Sequence, residues 1–385
     1  MHARRRGLSA LQICLVFCVA MAVGCAGGRR LSTITPTSGD RFFVSGYHPY
    51  WAGDAWQTYP WEALDELYFF ELEAGADGTI ADAHGWPTEW LALVERSRIE
   101  GVRIVPTISQ HDPAAFRELF ADPELVARLI EQLTSLMSST PGLGGLHLDF
   151  EVFEPVGADA WSGFTAFVAG LDDRLDALDP SLLLSTFALA FDDEDAYDEQ
   201  ALANVTDFLV VQGYDFHSRA EARAGPVAAV SGWGRLNWRT VLDRYLELGV
   251  PARKIVMAVP LYGYQWPATS DDPGAATRGP AIEIALPPPH PPPDIVPEMP
   301  RAFVEAARHR ARRDPLSGSP YYAFQDAGGW YQGWFEDAES LRAKYAFVRE
   351  NGLGGVALFP LAYGDEPLWS DLIDAFSRRR ESPGG

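Results

Sequence analysis

The stretch Gly144-Gly145-Leu146-His147-Leu148-Asp149-Phe150-Glu151 sets two carboxyl groups and an imidazole at alternate positions. Successive side chains of a strand point to opposite faces, so His147, Asp149 and Glu151 share one face while Leu146, Leu148 and Phe150 share the other. Residues two apart lie roughly 6.6 Å apart along a strand, so Asp149 stands one step below Glu151 and can influence it without displacing it. Carboxyl groups placed in this way can move protons and stabilise positive charge if they are kept out of bulk water. By itself the alternation favours a half-solvated antiparallel strand. The flanks reverse that reading. Pro141-Gly142-Leu143-Gly144-Gly145 breaks a helical stretch, and a new helical pattern begins near Ala158. A strand between two helices is usually parallel and covered on both faces, and its carboxyls then point into an interior.

The rest of the chain supplies the scaffold. Arg41–Tyr47 is a first strand ending in His48-Pro49-Tyr50-Trp51, Glu66–Leu72 and Val102–Ile108 are the second and third, and helical patterns cover Glu89–Ile99 and Ala114–Met137. A helix over Trp161–Leu178 stops at Asp179-Pro180, after which Leu182–Phe187 and Phe208–Tyr214 are strands five and six. The helix Trp238–Leu248 leads to strand seven, Ile255–Val259, and the helix Asp337–Asn351 leads to strand eight, Gly354–Phe359, before a last helix over Leu368–Arg379. Eight strands alternating with helices specify an α/β fold, a (β/α)8 TIM barrel, whose site residues stand at the C-terminal ends of the strands. Those ends carry Tyr47, Glu151, Tyr214 with Asp215, Tyr262 and Phe359, which should converge on one cleft. Between about residues 267 and 320 the pattern loosens into an insertion. Its Pro287–Pro293 run is expected as extended polyproline on the surface, and Arg301–Arg313 as a helix.

The chain has 385 residues, and an even spread of apolar residues suits one large barrel over residues 41–380. A formal net charge of −22 and a pI near 4.7 argue against nucleic acid or an anionic membrane surface as a partner of the folded body. Residues 1–25 stand apart. Arg4-Arg5-Arg6, an apolar run from Leu8 to Val23, and Gly24-Cys25 have the layout of an export signal. Cys14, Cys18 and Cys25 all lie in this leader, so the body forms no internal disulfide. Ala22-Val23-Gly24-Cys25 resembles a bacterial lipobox, which makes Cys25 the expected lipidation site, with an ordinary cleaved signal as the alternative. Residues 26–40, rich in Gly, Arg, Ser and Thr, are then a flexible tether. The expected location is the bacterial cell envelope, with the membrane reached only through that lipid.

Four motifs in order resemble glycoside hydrolase family 18, the chitinases and related N-acetylglucosaminidases. That family's fourth strand carries D-x-x-D-x-D-x-E, aligned here with Gly144, His147, Asp149 and Glu151. Tyr214-Asp215, within Gln212-Gly213-Tyr214-Asp215-Phe216-His217, matches its sixth-strand Tyr-Asp pair. Pro260-Leu261-Tyr262-Gly263-Tyr264-Gln265-Trp266 is similar to its seventh-strand P-L-Y-G-x-x-W. Trp334-Phe335-Glu336-Asp337, Ser340, Lys344 and Gly352–Val356 resemble its closing segment, best in the bacterial cell-wall branch. The likeness spans residues 42–376. The chain departs from the pattern at Gly144 and His147, and Phe359 stands where the family usually has the tryptophan that floors the sugar site.

The resemblance implies a retaining glycosidase acting on β-linked N-acetylglucosamine, in chitin oligomers or peptidoglycan. Glu151 would protonate the leaving oxygen while the substrate's own 2-acetamido oxygen serves as nucleophile. It further implies that Asp149 orients the acetamido N–H and stabilises the oxazolinium charge, that Tyr214 hydrogen-bonds the acetamido oxygen, and that Asp215 helps position the sugar. Gln212, Tyr262, Trp266 and Phe359 are expected to line the cleft, whereas Tyr47 and Trp51 belong either to the cleft or to aromatic core. His147 either couples to Asp149 and keeps it ionised to lower pH, or fills the barrel. A bare Asp-x-Glu could be a structural ion-pair cluster, but the presence of Tyr214-Asp215 favours catalysis. A catalytically silent, lectin-like glycan-binding protein on the same barrel is the alternative function; Phe359 and His147 favour it and Glu151 opposes it. His48, His111 and His217 have no metal-ligand spacing, so no metal and no cofactor are expected, and the expected state is a monomer.

Overall fold

In the computed structural model, which describes residues 42–193, 197–285 and 310–376, the apolar stretches close into a ring of eight parallel strands. These are β1 (Phe43–Pro49), β2 (Glu66–Ala74), β4 (Arg103–Gln110), β5 (Gly145–Phe150), β6 (Leu183–Ala188), β7 (Phe208–Val211), β8 (Ile255–Pro260) and β14 (Gly355–Phe359). β14 pairs with β1, and β1 in turn with β2, which closes the ring. A short strand, β3 (Ile80–Asp82), folds back antiparallel on the end of β2. This is the (β/α)8 TIM barrel expected from the sequence. The leader with Cys25 and the proline-rich run lie outside the described residues, as does the expected helix Arg301–Arg313 up to residue 309; Arg312–Arg313 is a short strand, β11.

Glycine fixes where the site strand begins. Gly145 has φ +148°, and a Cβ there would lie 1.9 Å from the Leu183 carbonyl oxygen, so a side chain would prevent β5 from pairing with β6. From that point the two faces separate as the alternation requires. Phe150 points outward into rings from two helices, with centroids 5.3 Å from both Phe120 and Phe164. His147 and Asp149 point into the barrel, and both are buried. At the other end of the ring, Glu66 opens β2 fully buried, with Arg103 Nε 3.0 Å from its carboxylate. Burial lifts Glu66 to about 7 although Arg103 pulls the other way.

Two departures from the sequence reading have plain causes. The helix expected over Ala114–Met137 is two helices, Pro113–Ala121 and Pro123–Ser139. Asp122 ends the first and caps the second, accepting the Glu124 N–H at 2.8 Å, while Pro123 supplies a first-turn residue that needs no N–H partner. The larger departure is a second, five-stranded antiparallel sheet in the order β10-β9-β13-β12-β11. Its members besides β11 are β9 (Tyr262–Ala268), β10 (Ile282–Ala285), β12 (Pro320–Asp326) and β13 (Gly329–Trp334). The sheet therefore starts before residue 267 and ends beyond residue 320. After it, Asp337 caps the helix Ala338–Glu350 in a reciprocal box with Ser340. Lys344 Nζ meets Glu336 Oε2 at 2.6 Å, with both side chains buried.

Candidate active site

Glu151 lies one residue past the end of β5, at the rim where the strands open. Its backbone is held from both sides by one phenol: Tyr197 donates to the Phe150 carbonyl at 2.5 Å and accepts the Val152 N–H at 3.2 Å. Tyr197 is itself fixed by Asp192, whose carboxylate accepts the Tyr197 N–H at 2.7 Å. Burial pushes the Glu151 carboxyl well above its ordinary range; Asp149, Asp215 and Glu71 push it the same way, and His111 opposes them. An uncharged carboxyl at the mouth of a cleft has a proton to give.

The histidine that answers Asp149 is His111, not His147. His111, just beyond β4, places Nε2 3.3 Å from Asp149 Oδ2. Burial works against its charge, but Asp149, Glu151 and Glu71 together raise it to about 9. His147 sits deeper, with Nε2 2.8 Å from the Tyr47 hydroxyl, Nδ1 2.8 Å from Ser185 Oγ, and its ring stacked on Tyr68 at 4.5 Å. Burial lowers it to about 4, so it is neutral, and both nitrogens are engaged away from Asp149. His147 therefore neither hydrogen-bonds Asp149 nor lines the cleft, and the charge of Asp149 only partly offsets the effect of burial on it; it fills the barrel beneath the cleft and props Tyr47.

The cleft has a volume of about 300 Å³ and is lined by Tyr47, Asp149, Glu151, Gln212, Tyr214, Asp215, Tyr262 and Phe359 among the residues anticipated. Asp215 adopts a left-handed backbone with φ +57°, which costs a non-glycine residue roughly 1 kcal/mol. That turn delivers Oδ1 to the Tyr262 hydroxyl at 2.7 Å, and burial raises the Asp215 carboxyl. Phe359 forms the floor, held by Tyr47 at 5.5 Å, Phe70 at 5.7 Å and Tyr214 at 6.3 Å between centroids. Besides His147, two anticipated residues do not reach the cleft. Trp266 is completely buried beside Tyr264, because β9 turns it into the core of the second sheet. Trp51 stands edge-on behind Phe70, 5.8 Å away, and so backs the wall without lining it.

Further residues came without forewarning. Phe70, Phe153, Phe187, Tyr264 and Glu283 also line the cleft. Burial lifts Glu283 to about 7, with Asp215 adding to the shift. The signal that could have found His111 and Phe187 was the strand-end rule itself, since they stand beside the C-terminal ends of β4 and β6, whereas Phe70 lies in the middle of β2. Glu283 and Tyr264 belong to the unforeseen sheet. Among the described residues, two clusters have donor types suited to a divalent cation: His111 with Asp149 and Glu151, and Glu71 with Glu73 and His84, each with one ligand atom per residue within 4.8 Å of the others.

A parallel eight-stranded barrel whose strand ends carry a half-buried carboxyl, its pKa pushed up, above a second carboxyl group, in a cleft lined by aromatic rings, is the scaffold of a glycosidase. The family model for Glycosyl hydrolases family 18 matches residues 75–364, and the chain belongs to that family. Among curated relatives it is 26% identical over 323 residues to a cortical fragment-lytic enzyme of Bacillus subtilis (strain 168), covering 82% of this chain and 68% of that protein. It is 29% identical over 243 residues to Chitotriosidase-1 of Mus musculus, covering 59% of this chain and 50% of that protein. Its fold is similar to the spore cortex-lytic enzyme SleL of Bacillus megaterium QM B1551, with TM-score 0.67, 20% identity, and 89% and 76% of the two chains covered. It is also similar to the class V chitinase of Nicotiana tobaccum, with TM-score 0.73, 16% identity, and 88% and 99% covered.

Proposed function

We propose that this glycosidase hydrolyses β-linked N-acetylglucosamine glycans, chitin oligomers or peptidoglycan, by substrate-assisted retaining catalysis. The observation that carries the reading is the stacking of Asp149 beneath Glu151 on one strand face, with Tyr214 and Asp215 in the same cleft. Two-carboxylate hydrolysis needs the groups on either side of the scissile bond. Side chains rooted two residues apart on one strand share a side instead. Asp215 stands across the cleft, but its Oδ1 takes the Tyr262 hydroxyl and burial favours its protonated form, which makes it a poor nucleophile.

The 2-acetamido oxygen of the substrate then attacks C1 while Glu151 gives its proton to the departing glycosidic oxygen. Asp149, held by His111, accepts the acetamido N–H and faces the positive charge of the oxazolinium ring. Tyr214 hydrogen-bonds the acetamido oxygen, and Asp215 fixes the sugar. Water, deprotonated by Glu151, opens the ring and gives a product with the β configuration kept. Names of relatives, a cortical fragment-lytic enzyme and a chitotriosidase, support both substrate classes. Following the anomers of the first product by NMR tests the scheme: the β anomer appears first, and an α anomer would sink it. The lectin-like alternative predicts glycan binding with no product.

Export and attachment at the bacterial envelope through Cys25, and action as a monomer, belong to the same proposal. The attachment rests on the leader, its lipobox-like end and the polar segment after it. Mass analysis of the native N-terminus tests it, since an unlipidated start elsewhere would refute it.

A further inference from the structure

Phe153 is an apolar ring left in water beside the acid. It is 63% exposed, yet it lines the same cleft as Glu151. The chain around it does not let it fold away. Val152 is buried with its N–H held by Tyr197, Val156 is buried four residues later, and Arg117 Nη1 donates to the Pro155 carbonyl at 3.2 Å. Between these anchors the Phe153 ring is presented outward, and unlike the equally exposed Leu91, Ile99 and Leu316 it lines the cleft, where a ligand covering it would recover the hydrophobic cost of its exposure.

Strand order says which part of a ligand that is. In the eight-membered ring, β5 and β14 are four places apart and therefore face each other across the barrel. Phe359, at the end of β14, floors one side of the cleft, while Glu151 and Phe153 follow β5 on the other. A sugar lying on Phe359 with Tyr214 and Asp215 around it turns its C1 substituent toward Glu151, because the proton must reach the glycosidic oxygen there. The group beyond that oxygen extends along the segment that follows Glu151.

We propose that Phe153 is the platform on which the leaving sugar stacks, its ring covering the apolar C–H face of that pyranose. This rests on the hydrolase reading above and extends it to the leaving-group side of the same cleft. Phe153 gives the cleft a preference for substrates with a sugar on the leaving side.

The test compares an N-acetylglucosamine tetramer, whose leaving group is a sugar, with chitobiosyl fluoride, whose leaving group is one atom. Phe153→Ala should lower kcat/KM for the tetramer roughly five- to tenfold relative to that for the fluoride, and Phe153→Tyr should restore the ratio. An unchanged ratio would overturn the assignment. Tetramer affinity is measured in parallel in a Glu151→Gln background, with and without Phe153→Ala. A matching loss of affinity supports the platform even if the parent enzyme cleaves neither substrate, a result that would instead bring down the hydrolase reading; equal affinities overturn the platform whatever the turnover.

Discussion

Replacing His111 by glutamine removes the cation that faces the Asp149 and Glu151 pair among the described residues, while keeping a side chain that can donate a hydrogen bond. The imidazole nitrogen is 3.3 Å from Asp149, and its ligand atom lies within 4.8 Å of Glu151. Two unit charges at that second distance interact by about 0.9 kcal/mol at a dielectric constant of 80 and about 3.5 kcal/mol at 20. At 1.36 kcal/mol per pKa unit these limits correspond to about 0.6 and 2.5 units. His111 is 46% exposed, so solvent screening places the effect near the lower limit, at about one unit. Loss of a neighbouring positive charge raises a carboxyl pKa. The limb of the kcat/KM profile that reports deprotonation of Glu151 should therefore move upward by about one unit in His111→Gln, and the acid limb should move the same way. Profiles are measured on one N-acetylglucosamine oligomer at low and high salt, and the shift should shrink as salt rises. Profiles that coincide would refute the coupling. His147, neutral through this range, should leave both limbs in place when changed to asparagine.

Tyr197→Phe deletes the hydroxyl that holds the chain on both sides of Glu151, and should lower kcat about five- to thirtyfold with little change in KM, as two lost hydrogen bonds of up to about 1 kcal/mol each allow; equal kcat would show that the segment holds without it. Lys344→Met strands a buried Glu336 carboxylate and should cost about 3–5 kcal/mol in urea unfolding, most of it recovered in the Glu336→Gln, Lys344→Met double variant. Glu66, at about 7 when folded against about 4.3 in an unfolded chain, contributes stability that is complete below the unfolded value and is lost as pH rises through 7. Glu66→Gln should accordingly raise Tm over the parent at pH 8 and leave it nearly unchanged at pH 4, and the opposite ordering would reject the shift.

The barrel was legible because each parallel strand is a short apolar run between helical patterns, and the acid was legible because β5 alternates sharply. The second sheet was hidden by continuity: Pro260-Leu261-Tyr262 reads as one extended stretch, whereas Leu261 leaves β8 and donates its N–H to the Phe359 carbonyl before β9 begins a different sheet. The P-L-Y-G-x-x-W motif led to Trp266 being expected in the cleft, but β9 turns it into the second sheet, and Tyr264 and Glu283 of that sheet reach the cleft instead. The histidines show a second limit. Period two placed His147 on the face of Asp149, but the face of a strand does not say how deep a residue lies, and His147 is spent on Tyr47 and Ser185 one layer down. His111 reaches Asp149 from the end of the neighbouring strand, through a pairing in which Ser109 lies opposite Asp149, and the alternation within β5 alone does not show that contact.

Glu151→Gln tests the central claim most directly, because the amide keeps the shape of the acid and cannot give up a proton in its place. Turnover of an N-acetylglucosamine oligomer should fall by at least about 10²-fold while the dissociation constant for the same oligomer stays close to that of the parent. Turnover at the parental rate would place the acid elsewhere and contradict the account.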